Sequence, residues 1–221
     1  MKQLLLDIAA PSLPTLDNFV AGTAGSNAEL LRALRAMAMA GAAERFVYLW
    51  GEAGAGKSHL LQATVALARS HGMDAVYFSC AAQPEFDTTV RLVAADDVQR
   101  LDEAAQVALF NRYNSLREND GMLLASGDAP PAQLNLRADL VTRLGWGLVY
   151  RVQGLSDTEK IQALQRHAQD RGFDLKQEVA EYLLRHYRRD LPALMAVLDA
   201  LDRYSLETKR PITLPLLREA L

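Results

Sequence analysis

The sequence has few of the features that mark membrane, secreted or duplex-DNA-binding proteins. Its 221 residues include one cysteine, Cys80, which excludes an intramolecular disulfide and favours a reducing compartment. No apolar run approaches the roughly 20 residues of a membrane-spanning helix. The formal net charge of −3 does not favour tight binding of duplex DNA. These absences predict a cytoplasmic protein that does not associate with membranes.

The apolar opening of the chain is also too short to be a secretory signal. Asp7 interrupts the run from Leu4 to Leu6, whereas a signal core needs about 7–15 apolar residues. What is present is the composition of a globular protein, 50% hydrophobic and 23% charged, without internal repeats or long low-complexity tracts. This length allows one large domain or a core domain with a smaller one.

Short apolar strands alternate with helical patterns up to Gly154. The predicted strands are residues 46–50, 75–78, 90–95, 122–125 and 148–152. The predicted helices in the same part of the chain are residues 27–40, 57–69 and 102–117. This alternation favours an α/β fold in which helices cover both faces of a parallel five-stranded sheet.

After Gly154 the apolar spacing is helical only. Ser156 and Glu159 have the spacing of a capping box, and Gly172 ends the helix that they begin. Further helices are predicted over residues 177–188, over residues 191–206 and after Pro211. We therefore expect three parts: a tail and linker over residues 1–13, an α/β base domain over residues 14–154, and a small all-α domain over residues 155–221.

A glycine-rich phosphate-binding motif follows the first predicted strand. Residues 51–58, Gly-Glu-Ala-Gly-Ala-Gly-Lys-Ser, match G-x-x-x-x-G-K-[ST] between a strand and a helix. Backbone N–H groups and the helix N-terminus would hold phosphates, Lys57 would bridge the β- and γ-phosphates, and Ser58 would hold Mg²⁺. The alternative is a chance glycine-rich turn. We expect nucleotide contacts from Gly51, Gly54, Ala55, Gly56, Lys57, Ser58 and His59.

An acidic pair ends the third predicted strand. Asp96 has the position of a Walker B residue that faces the metal ion, and Asp97 would orient or deprotonate the attacking water. The alternative is that the pair begins a helix as its N-cap.

Four segments resemble motifs of the DnaA-type AAA+ family. They are Leu-Asp-Asn-Phe-Val at residues 16–20, Gly-Lys-Ser-His-Leu-Leu at 56–61, Ala-Asp-Asp-Val-Gln at 95–99 and Thr-Arg-Leu-Gly-Trp-Gly-Leu at 142–148. The resemblance runs from about residue 14 to the C-terminus. It implies an AAA+ P-loop NTPase base domain with a helical lid, which binds ATP or ADP with Mg²⁺.

The resemblance also implies roles for single residues. Arg143 corresponds to the arginine finger that reaches a neighbour's ATP, although a surface salt bridge is the alternative. Asp128 corresponds to sensor 1, or caps the turn before Pro130. Arg189, in an Arg-Asp-Leu pattern before a lid helix, corresponds to sensor 2, or is a solvated charge. Trp146 is expected in the core.

The N-terminal tail resembles a peptide that binds the sliding clamp. Initiators of this family carry a helix-turn-helix domain that reads duplex DNA, whereas this sequence stops after the predicted lid. A DnaA-type ATPase domain with such a tail is similar to the Hda family, in which the tail binds the β subunit clamp of the DNA polymerase. An N-terminal strand packed on the body is the alternative. The matching residues are Gln3, Leu4, Leu6 and Ile8.

The resemblance implies a negative regulator of chromosomal replication initiation. Such a protein binds the DNA-loaded clamp and uses Arg143 in trans to stimulate hydrolysis of ATP on the DnaA initiator. We expect weak or no turnover of its own and no sequence-specific contact with duplex DNA, and a homodimer is one assembly that remains open. Three alternatives are an adaptor or loader that recruits a helicase or another replication factor, a self-sufficient ATPase, and a clamp-binding scaffold.

Overall fold

The computed structural model describes residues 13–21, 26–39, 41–187, 191–208 and 210–220. The chain divides into two compact units, one spanning Pro14–Gly154 and one that includes Leu155–Leu221. The predicted clamp-binding residues and the predicted sensor 2 arginine lie outside the described residues. Within the described residues, no helix is long and apolar enough to cross a membrane.

The first unit is a parallel sheet with helices on both faces, as the sequence predicts. The strands are β1 (Phe46–Trp50), β2 (Ala75–Ser79), β3 (Leu92–Asp96), β4 (Met122–Gly127) and β5 (Leu148–Arg151). The helices are α1 (Ser26–Ala38), α2 (Lys57–Ser70), α3 (Glu103–Glu118) and α4 (Ala138–Leu144). The strand order is β2-β3-β4-β1-β5, and all neighbouring strands are parallel.

The two faces of this sheet carry separate apolar clusters. Alternate strand residues divide between the faces, so that Leu49 of β1 joins one cluster and Tyr48 joins the other. The first cluster includes the buried residues of α1 and α2, and the second includes those of α3 and α4. Strands β3 and β4 are buried throughout, which explains their continuous apolar runs, whereas β5 lies at the sheet edge.

The strand order places the predicted site residues at one edge of the sheet. Carboxyl ends of parallel strands meet at the same edge, and this is where α/β sheets bind ligands. Here β4 lies between β1, which leads into the glycine-rich loop, and β3, which ends at Asp96. The loop after β1, the end of β3 and the end of β4 are therefore neighbours.

The second unit contains helices α5 (Asp157–Asp170), α6 (Gln177–His186), α7 (Leu191–Thr208) and α8 (Leu214–Ala220). The predicted capping box is present, because the Glu159 N–H donates to Ser156 Oγ and the Ser156 N–H donates to Glu159 Oε2. Apolar residues of all four helices form one buried cluster, which includes Leu164, Leu183, Leu198 and Leu217. This unit therefore has a hydrophobic core of its own.

Candidate nucleotide-binding site

The loop between β1 and α2 has the backbone of a phosphate-binding loop. Gly56 has φ 96° and directly precedes α2. A Cβ at Gly51 would lie 2.4 Å from the carbonyl oxygen of Val152, so this position accepts only glycine. The first turn of α2 has neither an acidic residue nor a side-chain cap. Its N–H groups and positive dipole end therefore remain suited to an anion.

Lys57 is the first residue of α2 and is buried, with 7% of its surface exposed. Its Nζ donates to the carbonyl oxygens of Gly51 (2.8 Å) and Glu52 (3.1 Å). Within the described residues it forms no ion pair with a carboxylate. Only neutral carbonyl groups bind this buried ammonium, so its positive charge is available to the negative charge of a polyphosphate.

Asp96 is buried at the end of β3 and its carboxylate is held by two hydroxyl groups. Tyr77 of β2 donates to Oδ2 (2.7 Å), and Ser126 of β4 donates to Oδ1. Burial, together with the hydrogen bond to Asp96, raises the pKa of Tyr77 to about 12, so this hydroxyl remains a donor at neutral pH. The part of the chain that the structure describes offers Asp96 no positively charged partner within 4 Å.

The donor set fits Mg²⁺. Ser58, next to Lys57, is exposed and its hydroxyl makes no hydrogen bond with the described residues. Mg²⁺ prefers oxygen ligands, and it commonly binds hydroxyl and carboxylate oxygens of a protein and phosphate oxygens of a nucleotide at the same time. The described residues contain no separate cluster of three or more His, Cys, Asp or Glu side chains for a metal.

Asp97 follows the strand in a left-handed conformation, with φ 61°. Its N–H donates to Ser126 Oγ (2.9 Å), and its carboxylate lies 3.7 Å from Arg100 Nε. As in the alternative, Asp97 occupies the N-cap position of a short 3-10 helix, Val98–Arg100, but its side chain makes no capping hydrogen bond. Asp102 caps α3 instead, by accepting from the Ala105 N–H.

Tyr77 and Ser126 hold the Asp96 carboxylate, and neither is among the site residues predicted from the sequence. Ser126 could have been noticed as a polar residue at the end of an apolar strand. Tyr77 gives no such signal, because an aromatic residue is ordinary in a strand. Asp128, the predicted sensor 1, follows β4 and is exposed, and its side chain makes no hydrogen bond within the described residues.

The segment before α1 packs against the start of α2. The rings of Phe19 and His59 lie 5.8 Å apart, and a Cβ at Gly56 would lie 2.6 Å from the Phe19 ring. His59 Nε2 is 2.9 Å from the carbonyl oxygen of Thr15. Buried Asn27 donates to the carbonyl oxygens of Ala21 and Gln153. Residues 16–20, which resemble a motif of the DnaA-type family, therefore lie beside the phosphate loop.

Arg143, the predicted finger, lies in the last turn of α4. Its Cζ is 3.9 Å from the ring centroid of Trp146. The alternative of a surface salt bridge is not observed, because no carboxylate of the described residues pairs with Arg143. The expectation that Trp146 belongs to the core is wrong, since 53% of it is exposed. Gly147 lies so close to the Phe46 backbone that a larger side chain would not fit there. Trp146, the residue before it, remains at the surface.

The comparisons with known proteins agree with this geometry. Residues 157–221 match the family model for the Hda lid domain. Domain III of the Thermotoga maritima replication initiation protein DnaA is 21% identical with a TM-score of 0.73, over 95% of this chain and 94% of that one. AMPPCP-bound DnaA from Aquifex aeolicus is 23% identical with a TM-score of 0.69, over 88% of this chain and 66% of that one. A Thermotoga maritima RuvB variant is 18% identical with a TM-score of 0.65, over 94% of this chain and 70% of that one.

The parallel sheet, the glycine-rich loop before α2 and the acidic end of β3 define an AAA+ P-loop protein. This confirms the predicted fold class. Within that class the comparisons support a DnaA/Hda-type family, because residues 157–221 match the Hda lid model and the fold is that of DnaA domain III.

Proposed function

We propose that this chain is a negative regulator of chromosomal replication initiation. It binds the DNA-loaded sliding clamp and stimulates hydrolysis of ATP that is bound to the DnaA initiator. The match to an Hda lid and the DnaA-like fold support a role in replication initiation. The position of Arg143 is the observation that carries the proposal.

Arg143 packs against α3, near Phe110 and Tyr113, which belong to the second apolar cluster. Helix α2, which begins with Lys57, packs in the first cluster on the opposite face of the sheet. The guanidinium therefore lies across the sheet from the helix of its own phosphate loop, which favours action on a nucleotide that another protein holds. A guanidinium beside a γ-phosphate stabilises the charge of the transition state and contributes about 10³–10⁵ in rate in other proteins.

The chain's own nucleotide is proposed to be ATP or ADP with Mg²⁺. Lys57 would bind the β- and γ-phosphates, Ser58 and Asp96 would hold the metal ion, and Mg²⁺ would neutralise phosphate charge. The hydrogen bond from the Asp97 backbone N–H to Ser126 Oγ supports a role for Asp97 beside this site. We propose that the bound nucleotide mainly stabilises the base domain and that turnover by the chain itself is weak or absent.

Clamp binding is proposed from the sequence of the tail. Gln3 supplies an amide for directional hydrogen bonds, and Leu4, Leu6 and Ile8 supply apolar side chains for a groove on the clamp. Docking on a DNA-loaded clamp would raise the local concentration of Arg143 near an initiator bound to the same DNA.

The test measures hydrolysis of ATP pre-bound to the cognate initiator, with and without DNA-loaded clamp. Wild-type protein is expected to accelerate hydrolysis only when the clamp is present, and Arg143→Ala is expected to abolish the acceleration. Arg137→Ala is the matched control, because this arginine precedes the same helix and pairs with Asp139 (2.9 Å). It is expected to behave as wild type. No acceleration by the wild-type protein with clamp would refute the proposal.

A second candidate is an adaptor that contacts single-stranded DNA and recruits a helicase or another replication factor. One observation favours it: Arg117, Arg143 and the exposed ring of Trp146 lie together, and single-strand sites combine cations with aromatic rings. Fluorescence anisotropy with a labelled single-stranded oligonucleotide tests it. Binding that weakens with salt and is lost in Trp146→Ala would support the adaptor, whereas no binding would exclude it.

A further inference from the structure

Trp146 combines an exposed ring with close contact to a guanidinium. Arg143 Cζ lies 3.9 Å from the ring centroid, which is the distance of a guanidinium stacked on the face of the ring. The Trp146 backbone N–H donates to the Arg143 carbonyl oxygen (3.2 Å), so a turn at the end of α4 joins the two residues. The ring therefore covers the guanidinium rather than filling the core.

Two rings of α3 complete the surroundings of this guanidinium. The centroid of Phe110 is 5.7 Å from Arg143 Cζ, and that of Tyr113 is 5.9 Å away. A free arginine side chain has many rotamers, and fixing one of them costs conformational entropy. Aromatic contacts that restrict Arg143 before a partner arrives lower that cost at the moment of binding.

A second guanidinium also lies near the Trp146 ring. Arg117 Cζ lies 5.1 Å from the same ring centroid. In the described part of the chain, neither Arg117 nor Arg143 forms an ion pair with a carboxylate. Guanidinium groups without an ion pair near an exposed ring suit a ligand with anionic oxygens, such as a nucleoside polyphosphate.

We propose that Trp146 is a positioning residue for Arg143. Its ring stacks on the guanidinium, fixes its rotamer and presents it to the phosphates of a nucleotide that a partner protein binds. This inference rests on the proposed function, in which Arg143 acts on ATP held by the initiator. Trp146 does not touch the reacting atoms, so loss of its ring lowers the maximal rate by misplacing the guanidinium and leaves partner binding intact.

The first test follows hydrolysis of initiator-bound ATP, with DNA-loaded clamp, as the concentration of this protein is varied. Trp146→Leu keeps an apolar side chain without a ring face and is expected to lower the maximal rate about ten- to a hundredfold. The concentration that gives half of that rate is expected to stay unchanged. Trp146→Phe is expected to restore most of the rate, and Arg137→Ala serves again as the control.

The outcomes separate this inference from the proposed function. If Arg143→Ala abolishes stimulation while Trp146→Leu matches wild type, the positioning role is wrong and the proposed function stands. A Trp146→Leu effect confined to the half-maximal concentration also overturns the positioning role, because it assigns Trp146 to docking. If Arg143→Ala matches wild type, the proposed function fails and the inference fails with it.

A second measurement needs no partner. The chain has two tryptophans, so Trp50→Phe leaves Trp146 as the single emitter. In this background Arg143→Ala is expected to raise the acrylamide quenching constant, because it uncovers one face of the ring, whereas Arg137→Ala is expected to leave the constant unchanged. Equal quenching with and without the Arg143 side chain would show that the two side chains do not stack, and would overturn the proposal.

Discussion

At the scale of single residues, Asp96 is distinguished by a buried carboxylate whose oxygens both accept hydrogen bonds from hydroxyl groups. Ser126 has a second task, since its Oγ also accepts from the Asp97 N–H. One hydroxyl therefore joins the end of β4 to both acidic residues after β3. Removing it leaves a buried carboxylate oxygen and a backbone N–H without this partner.

We expect Ser126→Ala to lower the free energy of unfolding by about 1–3 kcal/mol, because it removes hydrogen bonds from a charged group and from a backbone N–H in a buried site. Thr64→Val is the matched control. The Thr64 hydroxyl is buried too, but it donates to the Leu60 carbonyl, which can keep its helical N–H partner. Urea unfolding of both variants gives the comparison. An equal loss in the two would contradict the special role of Ser126.

Lys57→Ala tests the nucleotide site directly. In the wild type, added ADP with Mg²⁺ is expected to raise the Tm, because a ligand of the folded state stabilises by RT ln(1 + [L]/Kd). The variant is expected to lose most of this increase. Lys160→Ala, which alters a lysine 3.9 Å from Asp157 in the second unit, is expected to keep it. The Tm at increasing ADP concentration is the measurement, and an unchanged increase in Lys57→Ala would exclude the assigned role.

Ionisation of Cys80 and Tyr77 makes the free energy of unfolding depend on pH in the alkaline range. Burial raises the pKa of the Cys80 thiol from 9.0 to about 12, and the pKa of Tyr77 also rises to about 12. Both groups ionise more readily in the unfolded chain, so the stability that they contribute is complete below pH 9 and is lost between pH 9 and 12. Urea unfolding at pH 8 and 10.5 is expected to show this loss, with a smaller loss in Cys80→Ala. Identical losses in the two proteins would argue against the Cys80 contribution.

At the scale of elements, α4 and the strand that follows it separate a core face from a surface face. Leu140 and Leu144 of α4 are buried against the sheet, whereas Trp146 is exposed and Leu148 and Val149 of the edge strand β5 are partly exposed. The proposed finger, Arg143, is half-buried, and the ring proposed to position it, that of Trp146, is exposed. One helix can thus contribute to the core and to a partner site when its periodicity places apolar residues on one face and the partner-binding residues on another.

The N-terminal segment is the element proposed to bind the clamp. Deleting residues 1–8 is expected to abolish binding to the clamp and to leave the urea midpoint of the remaining chain unchanged. Gln3→Ala is expected to weaken binding without abolishing it, because the apolar contacts remain. Surface plasmon resonance on immobilised clamp, with a synthetic peptide of residues 1–8 as competitor, measures both. A deletion variant that unfolds less cooperatively would instead favour a strand packed on the body.

At the scale of the whole molecule, each compact unit has its own core. The first unit, Pro14–Gly154, is here called the base unit and has an apolar cluster on each face of its sheet. The second unit has the cluster formed by α5 to α8. Every described member of the last cluster lies in the second unit. The predicted nucleotide-binding residues that the structure describes all belong to the base unit.

We expect residues 155–221 to fold when produced alone, because their buried apolar residues contact one another. Far-UV circular dichroism is expected to show a helical spectrum, and urea is expected to unfold it in one transition. Leu198→Ala is expected to lower the free energy of unfolding by about 2–5 kcal/mol, as for other fully buried leucines. A fragment without a cooperative transition would show that the second unit depends on the base unit.

The sequence by itself determined the class of fold, the phosphate loop, the acidic strand end and the capping box at Ser156. These features depend on residues close together in the chain, where glycine spacing, apolar period and cap chemistry act locally. The sequence also marked Arg143 and the tail, although through family likeness rather than geometry.

Only the tertiary structure decided which distant residues meet. The order β2-β3-β4-β1-β5 brings Tyr77 and Ser126 to the Asp96 carboxylate, and packing on α3 places Arg143 across the sheet from α2. It also decided that Trp146 is a surface ring on a guanidinium rather than a core residue. The physical reason is that strand pairing and side-chain packing join segments far apart in the chain, and no local pattern of spacing encodes that pairing.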